Sequence, residues 1–277
     1  MLPTPAAGFR WVESPHGPAL VCDALEPFAR HLFTTRHWRL GSTPRDDDEQ
    51  AWTDVGQALE IGGSPLLRLR QVHGRCVVVR RAGEPPAPRS RPEADAIVSD
   101  DPEVAIAIQV ADCVPLLIAD RRVGALAAVH GGWRGTAARV AVEAVEAMHR
   151  SFASRPEDLI AAIGPAIGAC CYEVGRVVRE RFVAAGFEQS TIARWFHERP
   201  LAIAGNPPMP GLPATPRPDH WFFDGWTATR DQLLDAGVPA AQIHTARLCT
   251  ASHPQVLCSY RRDGRAAGRL AAAIRAV

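Results

Sequence analysis

The chain has 277 residues with 31 basic and 30 acidic side chains, a net charge of +1, and every basic residue of that count is Arg. Near-neutrality leaves no positive field to hold a polyphosphate backbone, so nucleic acid is not the expected partner and small molecules are. At 47% hydrophobic and 22% charged the composition is that of an ordinary globular protein, and the arginines read as coding bias.

Seven cysteines, Cys22, Cys76, Cys113, Cys170, Cys171, Cys249 and Cys258, make an odd set without a C-x-x-C pair. That is not the framework of a secreted disulfide protein, and the N-terminus carries no signal-like apolar segment, so a cytoplasmic protein is expected. The longest apolar stretch, 104–119, is broken by Gln109, Asp112 and Pro115 and fails as a membrane span.

In chain order, β-branched runs at 66–72, 76–79, 96–98, 104–110, 116–119 and 123–129 predict strands, several apolar enough to be covered on both faces. Thr136 is placed to cap a helix running to about Arg150, and further helices are expected over 173–185, 228–236 and 266–275. Two segments, 83–92 with four prolines and 200–218 with seven, read as irregular excursions. The expectation is an α/β (α+β) fold: a single layered domain over 1–277, with mixed sheets flanked by helices.

Three segments set a soft metal ligand or nucleophile directly after a predicted strand: Gln71-Val72-His73-Gly74, Ala111-Asp112-Cys113 and His130-Gly131-Gly132-Trp133-Arg134-Gly135. Strand ends are where catalytic groups gather. The three candidates are 40 and 17 residues apart, so spacing alone does not make a zinc site. Singly, His73 reads as a hydrogen-bonding residue and Cys113 as a small buried apolar group. Together, two imidazoles and a thiol match a catalytic zinc centre with an open fourth position, and copper would accept the same set.

The glycines after His130 remove bulk where strand turns to helix, and Arg134 is placed to meet an anion there; a tight turn packing Trp133 is the alternative. Asp112 would either orient a ligand or pair with an arginine. The segments 163–173, with Cys170, Cys171 and Tyr172, and 259–263, with Arg261, Arg262 and Asp263, read as a shaped turn and a solvated ion pair.

Taken in order, QVHG at 71–74, ADCVPL at 111–116, HGGWRG at 130–135, IGPAIGACCYEV at 163–174 and SYRRD at 259–263 resemble the laccase-domain family, the multicopper polyphenol oxidase or YfiH-type proteins also described as purine nucleoside phosphorylases. The resemblance runs over roughly residues 30–277. It implies a fold similar to that of cytotoxic necrotizing factor, with zinc, or sometimes copper, bound by His73, Cys113 and His130, which would also be the catalytic set. It further implies phosphorolysis of adenosine, inosine and methylthioadenosine, with some adenosine deamination, by a monomer or homodimer. Arg36, Arg134 and Arg261 are then the candidate contacts to phosphate and substrate.

This chain departs from the pattern at Gly131, where Ala is usual, and over 37–54, where an acid-rich stretch follows the surviving Thr34-Thr35-Arg36. Three rival readings stand beside the leading one. Cys113 with a histidine base would make a cysteine hydrolase or amidase editing peptidoglycan precursors. The family's older name implies a copper-dependent polyphenol oxidase, although one three-ligand site is less than multicopper chemistry needs. A nucleotide-binding module with a structural zinc would close its site with a fourth protein ligand.

Overall fold

The computed structural model describes residues 1–41, 48–62, 65–85, 91–212 and 217–277. Parts of the acid-rich stretch and of both proline-rich excursions lie outside the described residues. In chain order the elements are β1 (Phe9–Val12), β2 (Ala19–Cys22), β3 (Ala29–Thr34), α1 (Glu49–Ala58), β4 (Leu66–Arg68), β5 (Val77–Arg80), β6 (Ala96–Ser99) and β7 (Ala105–Val110). They continue as β8 (Val114–Asp120), β9 (Leu126–Gly131), α2 (Trp133–Ala137), α3 (Val140–Phe152), β10 (Leu159–Ile163), β11 (Glu173–Gly175), α4 (Arg176–Ala184) and α5 (Gln189–Trp195). The last are β12 (Phe196–His197), β13 (His220–Phe223), α6 (Gly225–Asp235), β14 (Ile243–Thr245), α7 (Tyr260–Asp263) and β15 (Leu270–Ala276).

Two mixed sheets of six strands carry the architecture, ordered β1-β2-β3-β15-β7-β4 and β14-β10-β8-β9-β6-β5, and a small β11-β13-β12 sheet sits beside them. The large sheets stack face to face. Their shared core joins Leu20, Phe33, Ile106 and Ile274 from one to Ile97, Leu117, Leu126 and Ile160 from the other. The outer face of the first sheet, with Leu32, Ala107 and Ala273, packs on Trp52 and Val55 of α1. The outer face of the second, with Val98, Leu116 and Val129, packs on Ala144 and Met148 of α3 and Leu233 of α6. The result is four layers, helix, sheet, sheet and helix, so the central strands are covered on both faces and read as continuous apolar runs.

The predicted helix over 266–275 is instead strand β15. Its sequence, LAAAIRA, favours helix by intrinsic propensity, because Ala loses no rotamer freedom there. Yet it lies between β3 and β7 in the middle of a sheet, with Leu270, Ala272 and Ile274 facing the shared core and Ala271 and Ala273 facing α1. Methyl side chains suit a central strand pressed from both sides, and burial overrides a propensity worth only tenths of a kcal/mol.

Two other helix boundaries differ from expectation. Thr136 does not cap α3; its Oγ1 donates back to Gly132 O at 3.1 Å inside the five-residue α2. The break falls at Arg139, in the left-handed region at φ 64°, whose guanidinium lies 3.9 Å over the Phe187 ring. At 173–185, Glu173–Gly175 pairs with β13 as a strand before α4 begins.

The predicted strand at 66–72 ends early, at Arg68, for a reason that bears on the site. The Gln71 side-chain amide donates to Gln109 O and accepts from Gln109 N, both at 2.7 Å, so a side chain takes the place of the backbone ladder along β7. The backbone at 72–74 is thereby released for other partners.

Candidate active site

Sheet register explains why residues so far apart in sequence meet. In the β8–β9 hairpin Val114 pairs with Gly131 and Pro115 with His130, so Cys113, one residue before β8, lies beside the end of β9. His130 is thus within a strand and not after one. On the other edge of β9, Ala96 pairs with Val129, which brings Asp95 against His130.

Asp95 was not among the residues singled out in the sequence. It is fully buried, and both its carboxylate oxygens are used. His130 Nδ1 donates to Oδ1 at 2.8 Å, His73 N donates to the same oxygen at 2.9 Å, and Gly74 N donates to Oδ2 at 2.6 Å. The His130 amide also donates to Asp95 O at 2.7 Å. One carboxylate therefore fixes the His130 ring and the loop that carries His73, which sits at φ 60°. Burial works against its ionisation, but His130 and the Gly74 and His73 amides hold it below the usual carboxylate value. The signal in the sequence was an acidic residue at the mouth of an apolar strand, since a buried carboxylate must find donors.

The ligand atoms of His73, Cys113 and His130 lie within 4.8 Å of one another. His73 and His130 meet edge to face, with ring centroids 4.8 Å apart. Gly132 makes the convergence possible: a Cβ there would stand 2.8 Å from His73 Cδ2 and 3.2 Å from Cys113 Sγ. His130 is buried while His73 is exposed, so the cluster opens to solvent on one side.

Electrostatics at this cluster are those of a thiolate beside an imidazolium. Burial alone would push the Cys113 thiol up, but the His130 charge and hydrogen bonds from His130 and His73 bring it down to about 6. Burial likewise disfavours charged His130, and the Cys113 thiolate and Asp95 overcome it, raising the imidazole to about 9. Two imidazoles and a thiolate with an open side are a donor set that can hold zinc or copper with a position left for substrate. The Asp95 bond to His130 Nδ1 is the outer support that turns Nε2 toward such an ion.

Residues 36–276 match the profile of a family described as multi-copper polyphenol oxidoreductase laccase. The chain belongs to this laccase family. Among relatives, a purine nucleoside phosphorylase of Bacteroides thetaiotaomicron is 35% identical over 180 residues, which span 65% of this chain and 60% of that one. A purine nucleoside phosphorylase of Synechocystis is 32% identical over 263 residues, 91% of either chain. The crystal structure of YlmD from Geobacillus stearothermophilus superposes with a TM-score of 0.75 at 27% identity, covering 96% of this chain and 98% of that one.

Around the cluster of this laccase-family protein the structure brings some predicted residues close and leaves others apart. Asp112, at φ 86°, makes no ion pair with a guanidinium among the described residues; its Oδ1 accepts from Thr250 Oγ1 at 2.5 Å and its Oδ2 from Arg261 N at 2.6 Å. It ties the 250–261 region to the turn that carries Cys113. Arg261 Nη1 donates to Glu173 O at 2.6 Å, and its guanidinium lies 5.0 Å over the Tyr172 ring. Burial, with Cys113 nearby, pushes the Tyr172 phenol up, while the Arg261 and Arg134 charges oppose it.

Arg134 is exposed, and its guanidinium stacks 4.2 Å over Trp133. Because α2 has five residues, its dipole is short, and the guanidinium is the stronger attraction for an anion. Arg36 is committed elsewhere, with its Nη1 donating to Pro254 O. Arg262 makes the expected ion pair with Asp263, Nη2 to Oδ2 at 2.7 Å, and is also tied to the backbone, with Nη1 donating to Thr250 O at 2.9 Å and Nη2 to Leu257 O at 3.0 Å. No helix among the described residues is long and apolar enough to cross a membrane.

Proposed function

We propose that this protein is a purine nucleoside phosphorylase acting on adenosine, inosine and methylthioadenosine, with adenosine deamination as a side activity at the same centre. The observation that supports the reading is the convergence of His73, Cys113 and His130, in a chain whose relatives bear that name. In phosphorolysis a phosphate oxygen bonds to the anomeric carbon, the glycosidic bond breaks, and the purine leaves with the electron pair and takes up a proton. Arg134, Arg261 and Arg36 would supply positive charge for phosphate, the last two through the guanidinium donors left over from their Nη1 bonds to Glu173 O and Pro254 O.

A zinc or copper ion held by His73, Cys113 and His130 would supply Lewis acidity for the leaving purine, or for the water that replaces ammonia in deamination. Asp95 keeps the Nδ1 proton of His130 in place and so presents its Nε2 inward. Gly132 leaves the space in which His73 and Cys113 come together.

One observation favours a second reading. Cys113 lies in one cluster with His130 and His73, where a thiolate and an imidazolium would form a nucleophile and acid pair suited to amide cleavage of a peptidoglycan precursor. Copper-dependent phenol oxidation, suggested by the family's description, ranks third. The deciding experiment incubates metal-defined protein with adenosine or inosine, with and without phosphate, and follows base and ribose 1-phosphate. Phosphate-dependent release is expected, and its absence at full metal occupancy overturns the proposal. Cys113→Ser is expected to lose metal and turnover together; retained metal with lost turnover would support the nucleophile instead.

A further inference from the structure

A second trio of ligating side chains lies outside this site. The sulfur atoms of Cys170, Cys171 and Cys249 are within 4.8 Å of one another, and the three residues are at most 1% exposed. Convergence is built into the backbone. Cys171 N and Tyr172 N both donate to Gly168 O at 2.9 Å, a tight turn in which a Cβ on Gly168 would lie 3.3 Å from Cys170 Sγ and 2.9 Å from Trp226. Cys249 arrives through a parallel bridge to Ala166, held by Thr250 N donating to Ala166 O at 3.0 Å.

Buried cysteines that serve as small apolar side chains need no polar partners, but these have them. Gly168 N donates to Cys249 Sγ at 3.3 Å, and Met209 N donates to Cys171 Sγ at 3.2 Å. Amides aimed at sulfur offset the negative charge that a ligating thiolate carries. The Ser252 hydroxyl oxygen lies 3.6 Å from Cys171 Sγ and 3.8 Å from Cys170 Sγ, while it donates to Pro207 O at 2.7 Å. Cys170 also lines a cavity of about 450 Å³ walled by Leu201, Ile203, Asn206 and Pro207.

The donor set selects the ion. All three ligand atoms are sulfur, which excludes calcium and magnesium. Structural zinc closes with four protein ligands, and among the described residues no fourth His, Cys, Asp or Glu joins the group. A disulfide would leave one thiol over, and one between adjacent Cys170 and Cys171 would be strained.

We propose that Cys170, Cys171 and Cys249 form a buried three-thiolate site for a soft monovalent cation of the Cu(I) class. Binding makes three metal–sulfur bonds and releases the thiol protons to water, with no change of oxidation state when the ion arrives as Cu(I). The ion would pin the 168–171 turn to the 249–252 segment. Those are the segments that carry Tyr172 toward Arg261 and Thr250 to Asp112. The site therefore stiffens the wall of the active site, whatever reaction runs there.

The test is an anaerobic Cu(I) titration of the full chain against the chromophoric chelator bathocuproine disulfonate. In Cys113→Ser, which removes the thiol of the first cluster, one equivalent of Cu(I) should still be held, and X-ray absorption should show three sulfur neighbours without nitrogen. Cys249→Ser on that background should lose the equivalent. Cys170→Ala, at the cavity wall, should do the same if Cys249→Ser does not fold by circular dichroism. The proposal is overturned if Cys113→Ser competes for no Cu(I), if nitrogen ligands appear, if the trio variants keep the ion, or if zinc is retained in preference to Cu(I). A disulfide from Cys249 to either neighbour in protein purified without oxidant would overturn it equally.

Discussion

Two clusters of three ligating side chains stand on opposite terms with solvent. His73, Cys113 and His130 mix imidazole with thiol, and one member is exposed; Cys170, Cys171 and Cys249 are all sulfur and all buried. The first depends on a buried carboxylate that orients its members and on a glycine that makes room for them. The second depends on backbone amides directed at sulfur. Openness with an orienting acid suits turnover, whereas closure with soft ligands suits a resident ion.

The strongest way to break this contrast is Asp95→Ala. It removes the acceptor for His130 Nδ1 and for the His73 and Gly74 amides, so metal affinity at the first cluster should fall about 10- to 100-fold and stability by about 3 kcal/mol. Metal titration and urea unfolding measure the two effects, and Cu(I) retention at the thiol trio should not change.

Next is the pH response of the metal-free protein. Because the Cys113 thiol is lowered from 9.0 to about 6, its thiolate absorbance should persist at neutral pH and disappear as pH falls through about 6. His130→Ala removes the largest favourable charge, so the thiolate should then appear only at higher pH. An unchanged titration would show that the pair does not exist.

A smaller loss is expected for Gly132→Ala, whose added Cβ would meet His73 Cδ2 at 2.8 Å. Metal affinity should drop by roughly tenfold, with stability reduced by about 1 kcal/mol, because His73 is exposed and can swing away. The smallest effects belong to the arginines. Arg134→Ala and Arg261→Ala should each raise the KM for phosphate by several-fold to about tenfold. Arg36→Ala should have less effect, since its guanidinium is engaged with Pro254 O. Equal effects at all three positions would mean that Arg36 reorients when phosphate binds.

The ligand trio was legible only as residue types near predicted strand ends and through the family resemblance, because His73 and Cys113 taken singly read as ordinary residues. Asp95 was not legible, because its four donors come from residues 21 or more positions away and become partners only through sheet pairing. The thiol trio was hidden for the same reason; Cys170-Cys171 reads as a shaped turn until Cys249 is brought across by the bridge to Ala166.

By itself the sequence determined the run of buried strands and helix between residues 66 and 152, the helices α4 and α6, and the ligand types available for chemistry, since apolar period and side-chain chemistry are properties of short segments, whereas β1–β3, α1, α5 and β12–β14 were not legible in it. Tertiary structure decided the rest. Residues 270–276 are strand and not helix because a slot between β3 and β7 buries small side chains on both faces, which outweighs the helix propensity of alanine. It also decided which ligands meet, because registers such as Pro115 with His130 and Ala96 with Val129 are set by packing of whole sheets, which no local window of residues contains.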